Sequence, residues 1–114
     1  METVTLYHGT SDESADALLA RGWQPNMWPS GGHCGQPKFL YLTTTPENAA
    51  WYANEKGSER VVAVTVPVSS LLVDPEDGMD DTVAGELLME PGNLVLREAM
   101  PAEAFADAAP APVP

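Results

Sequence analysis

A single mixed α/β domain is the class the sequence predicts, and three observations carry it. The chain has 114 residues, which suits one domain of about 100–150 residues and leaves no room for a second. Hydrophobic residues make up 44 %, enough for one modest core. Short stretches of period two alternate along the chain with stretches of helical spacing, while 9 glycines and 11 prolines argue for many turns and against a helical bundle.

Residues 3–7 set Val4 and Leu6 against Thr3, Thr5 and Tyr7, which predicts a short strand broken by His8-Gly9-Thr10. Thr10 with Glu13, or Ser11 with Ser14, can cap a helix over residues 12–21, whose Ala15, Leu18 and Leu19 share a face and which Gly22 ends. Residues 23–38 hold Pro25, Pro29 and Pro37 among glycines and polar residues, so a long irregular loop of the kind that serves as a lid is expected. Residues 39–43 read as a buried strand. Thr45-Pro46-Glu47 then starts a second helix over 46–55, because the threonine caps, proline suits the first turn and glutamate meets the positive dipole end. Gly57 stops it, and the β-branched run 60–67 predicts a central strand.

Residues 69–73 add a short extended or turn segment. Residues 74–81 carry five acids and no base, which predicts a solvated loop, since the spacing does not supply the ligands of a calcium loop. Two apolar stretches, 86–89 and 94–97, flank Pro91-Gly92-Asn93 and suggest a hairpin or a bent strand. The domain is expected over residues 1–105, with 106–114 as a frayed, proline- and alanine-rich tail.

Charge and cysteine content exclude several classes. With 5 basic against 17 acidic residues the net charge is −12, which repels phosphate backbones and anionic membranes and makes a nucleic-acid partner unexpected. No apolar run is long enough to span a membrane, and Met1-Glu2-Thr3 does not begin a signal peptide, so a cytoplasmic location is expected. The single Cys34 excludes an internal disulfide. His33-Cys34 could offer two metal ligands, but without further partners in sequence no metal site is expected.

Phosphate-cradling loops, dinucleotide fingerprints and nucleophile elbows are absent from the sequence. Polar chemistry at strand ends remains. His8 is followed by Gly9, whose missing side chain would let a ligand approach the backbone, and the imidazole could donate to a ribose hydroxyl. Tyr41 and Tyr52 could bracket a flat heteroaromatic ring, or be core residues with hydroxyls at the rim. Trp23, Trp28 and Trp51 read first as core residues and second as platforms for an acceptor.

Leu6-Tyr7-His8-Gly9-Thr10, Phe39-Leu40-Tyr41-Leu42-Thr43 and Ala49-Ala50-Trp51-Tyr52-Ala53, in that order, resemble the histidine–tyrosine–glutamate branch of the ADP-ribosyltransferase superfamily. Gly92-Asn93-Leu94-Val95-Leu96-Arg97 followed by Met100-Pro101-Ala102-Glu103 is similar to the final strand and exit of its small bacterial members. The resemblance spans about residues 4–105. It implies a split β-sandwich of two small sheets with flanking helices and a cleft for NAD, the substrate.

By that likeness His8 would hold the adenosine ribose, Gly9 would anchor the nicotinamide amide, and Tyr41 and Tyr52 would pack the nicotinamide ring. Thr10 and Thr43 would flank them, and Asn48 or Thr44 would stand in for the serine that polymerase-type members carry at Ala49. The family's late glutamate has no direct counterpart. Asn93 falls near its position, with Glu90 and Glu86 as the nearest acids, and these three are the catalytic candidates. The implied activity is NAD-dependent ADP-ribosyl transfer to a protein, a small molecule or water. The alternatives are a non-catalytic NAD or ADP-ribose binder of the same fold, or an enzyme like the RNA 2′-phosphotransferases.

Overall fold

The computed structural model describes residues 2–28 and 38–108. In chain order its main elements are β1 (Thr3–Thr10), α1 (Asp12–Arg21), β2 (Leu40–Thr43), α2 (Pro46–Glu55), β3 (Arg60–Pro67), β4 (Leu71–Val73), α3 (Val83–Leu87), β5 (Asn93–Leu96) and β6 (Phe105–Asp107). Among the described residues the six strands form one antiparallel sheet in the order β4-β5-β2-β1-β3-β6. No helix among them is long and apolar enough to cross a membrane.

Two helices occupy opposite faces of this sheet. Ser11 caps α1 by accepting the Ser14 amide at 3.3 Å, and Gly22, at φ 75°, closes it where a Cβ would strike the Met100 carbonyl. Leu18 of α1 then packs with Leu6, Leu42, Val62, Val64 and Leu94 in the main core. Each buried leucine removes enough apolar surface from water to contribute about 2 kcal/mol. On the other face Thr45 accepts the Asn48 amide at 3.2 Å, Pro46 fills the first turn, and α2 presses Ala49 and Ala53 onto β1.

Gly9 makes that close approach possible. A Cβ there would collide with the Ala49 carbonyl and come within 2.9 Å of the Ala53 nitrogen, so the bare glycine accommodates the helix backbone first. His8-Gly9-Thr10 therefore does not break β1 as expected. The strand continues because β3 supplies partners along its whole length, from Thr3↔Pro67 to Thr10↔Arg60.

The expectation of two separate sheets is also corrected, in an informative way. The halves β4-β5-β2 and β1-β3-β6 are joined, among the described residues, through one register pair, Tyr7↔Thr43. Continuing that register would set Gly9 against Tyr41. Instead the strands splay beyond Tyr7, and the sheet is nearly parted at its centre.

Two further segments differ from the sequence reading. Residues 86–89 are not a strand: Thr82 accepts the Gly85 amide at 3.0 Å and starts α3, leaving Leu88 exposed beyond its end. Residues 106 and 107, expected to open the tail, belong to a strand instead. Phe105 is buried and β6 pairs with β3 from Val64↔Phe105 to Val62↔Asp107, while Arg60 holds Asp107 at 3.2 Å.

Candidate functional site

A cleft of about 750 Å³ opens where β1 and β2 splay apart. Alternation puts His8 on the α1 face with Leu6, and Tyr41 on the α2 face with Thr43. The splay lets both faces contribute to one cleft. His8, Gly9, Thr10, Tyr41, Thr43 and Tyr52 all line it, and so does Asn93. Of the residues read from the sequence as substrate-binding, Asn48 and its alternative Thr44 are not on the wall.

His8 has a defined state. Its Nδ1 lies 2.7 Å from the Tyr41 carbonyl oxygen, which can only accept, so Nδ1 carries the proton. Burial pushes the imidazole down to about 4; the Tyr41 carbonyl opposes that shift and the Lys56 charge adds to it. The ring is neutral at pH 7, and its Nε2, buried and without a hydrogen-bond partner among the described residues, presents a lone pair. The imidazole is thus an acceptor toward any ligand, which corrects the expectation that it donates.

Aromatic side chains make up much of the remaining wall. Trp28 lies nearly parallel to His8, at 8° with ring centroids 6.4 Å apart. Trp51 meets Tyr52 edge-on at 5.2 Å, and Phe39 meets Tyr41 edge-on at 6.3 Å. The Tyr52 hydroxyl points to Asp77 Oδ2 at 3.5 Å. Burial first, then the charges of Asp77 and Asp74, push its phenol up, so it stays protonated at neutral pH.

A polar chain runs behind the cleft. Asn48 Nδ2 donates to Thr43 Oγ1 at 2.9 Å and to Asn93 Oδ1 at 3.4 Å, while Thr43 donates to the Gly92 carbonyl at 2.9 Å. Asn48 therefore fixes Thr43 and Asn93 in place. Thr44, its alternative in the sequence reading, donates to the Met89 carbonyl at 2.7 Å and accepts the Gly92 amide at 2.7 Å.

The three candidates for the late position separate clearly. Asn93 lines the cleft. Glu90 is exposed on the surface, next to a cis peptide bond to Pro91, and is not on the wall. Glu86 is fully buried, with Oε1 accepting the amides of Met79 and Asp80 at 2.8 Å each and Oε2 accepting the Asn93 amide at 2.7 Å. Burial alone would raise that carboxyl, but the three amides outweigh it and hold it below the ordinary range. Its work is to anchor the 79–80 turn and the start of β5.

The cleft also contains residues that the sequence did not single out. These are Asp74, Asp77, Glu55 and Lys56; Trp28 and Trp51 line it too, and Trp51 is exposed rather than in the core as first read. Asp74 follows β4 directly, and its Oδ1 accepts the amides of Glu76 at 2.8 Å and Asp77 at 3.2 Å. Asp-Pro-x-Asp-Gly is a turn-forming arrangement, and that signal in the acidic run was available. Trp23 is core, as first read. His33 and Cys34 lie outside the described residues, and among the described residues no group of three His, Cys, Asp or Glu side chains could hold a metal ion.

A scan against protein-family models finds no match to this chain, and a search of curated proteins finds no significant relative. The cleft itself therefore carries the functional argument.

Proposed function

We propose that the chain is an NAD-dependent ADP-ribosyltransferase, breaking the nicotinamide–ribose bond and passing ADP-ribose to a protein, a small molecule or water. One observation carries this reading: His8, Gly9, Tyr41 and Tyr52, drawn from three elements, line the same cleft at the parted centre of the sheet. The parting at the centre of the single sheet is the feature in keeping with the sequence resemblance. A neutral imidazole with an unpartnered lone pair suits a ribose hydroxyl, which would donate into Nε2. Two protonated tyrosines suit the flat, electron-poor ring of nicotinamide by stacking. Asn93 suits a further ribose hydroxyl through its carboxamide.

A second reading, a non-catalytic binder of NAD or ADP-ribose, is favoured by Asn93 at the late position and by the commitment of Glu86 to backbone amides. Net charge −12 favours acceptors other than nucleic acid in either case. Incubation with NAD, with nicotinamide release followed over time, separates the readings. Release above the spontaneous rate supports transfer or hydrolysis, and saturable binding without release supports the binder.

A further inference from the structure

An ADP-ribosyl transfer builds positive charge on the ribose, and an enzyme gains rate by fixing negative charge beside it. Neither Glu86 nor Glu90 lines the cleft, and Asn93 is uncharged. The structure offers another source one strand away. β4 pairs with β5 at Val73↔Leu94, and the next backbone bond runs from the Asp74 amide to the Asn93 carbonyl at 3.1 Å. Asp74 is therefore the lateral neighbour of Asn93, on the same face as Tyr41 and Thr43 by alternation. Both residues line the cleft.

The geometry points to Asp74 as the catalytic carboxylate of this cleft, displaced by one strand from the position where Asn93 stands. Among the acids on the wall it alone is buried, at 5 % exposure, whereas Glu55, Glu76 and Asp77 are exposed. A buried charge is less screened by water than an exposed one. The side-chain hydrogen bonds of Asp74 among the described residues run to Oδ1, from the Glu76 and Asp77 amides. They fix the carboxylate in orientation and leave Oδ2 for a ligand. His8, more than nine-tenths buried with an unpartnered Nε2, lines the same cleft and marks a place where a hydroxyl donor is wanted.

The step balances without a co-reactant. The C1′–N bond breaks with its electron pair passing to nicotinamide, which leaves neutral. The acceptor's lone pair forms the new bond to C1′, and its proton passes to Asp74 Oδ2 and then to solvent. Asp74 stabilises the ribose cation in between.

This inference rests on the proposed function, and the test keeps the two apart. Asp74→Asn retains an oxygen at Oδ1 for both amides and removes only the charge, so the turn survives the change. With the full chain, NAD binding by calorimetry and nicotinamide release are measured in wild type, Asp74→Asn and Asp74→Glu. The expected result is an unchanged dissociation constant in Asp74→Asn with turnover lowered about 100-fold or more, and greater turnover in Asp74→Glu than in Asp74→Asn. Wild-type turnover in Asp74→Asn overturns the assignment and leaves the parent reading intact. Binding without turnover in the wild-type protein overturns it in favour of the binder, and absence of NAD binding removes both.

Discussion

His8 combines burial, one committed nitrogen and one idle nitrogen. Because its folded-state value lies near 4 against an ordinary 6.5, the unfolded chain binds the extra proton between those limits. Stability is therefore complete above about pH 6.5 and falls toward pH 4, by on the order of 3 kcal/mol from this group. Denaturant midpoints measured across that window should show the slope in wild type and a flatter one in His8→Gln. Glu86 acts lower on the scale. Its depressed carboxyl supplies stability above the ordinary 4.5 that is lost as pH falls further, and Glu86→Ala, which leaves three amides without their acceptor, should cost about 2–4 kcal/mol in urea unfolding. The sequence made His8 legible as a site residue because it precedes a glycine near a strand end. Its acceptor role was hidden, since that depends on the Tyr41 carbonyl 33 residues away.

Among the elements, the β1–α2 contact sets the shape of the cleft. Gly9 is the residue on which it turns, because any Cβ meets the Ala49 carbonyl. Gly9→Ala should destabilise the chain by about 1–3 kcal/mol through overpacking, measured by chemical denaturation. If the helix moves away to relieve the clash, Tyr52 moves with it, and NAD affinity falls as well. Strands and helices with long regular patterns were readable: α1 and α2 from their caps, β3 from its valines. Short elements were not. α3 spans five residues, too few to display a helical period, so Leu87 and the Leu88 that follows it resembled a strand. β6 is drawn from an alanine-rich stretch whose strand character comes from pairing with β3 and from the burial of Phe105.

For the whole molecule, the decisive feature is a sheet that parts at its middle while both outer halves stay well paired. β1 has eight partners on β3, and β2 has four on β5, against the one pair that joins them. No residue pattern along the chain announces this, because register between β1 and β2 depends on what packs on each face. The solvated reading of the 74–81 run holds for Glu76, Asp77, Asp80 and Asp81, which are exposed, and fails for Asp74, which only the pairing of β4 with β5 carries to the cleft. The central claim is that this parted sheet holds NAD through His8 and the two tyrosines. Calorimetric titration of NAD into wild type, His8→Ala and Tyr41→Ala tests it most directly. The account predicts saturable one-site binding by wild type, weakened by about 1–3 kcal/mol in each variant; affinity unchanged in both variants, or no binding by wild type, would contradict it.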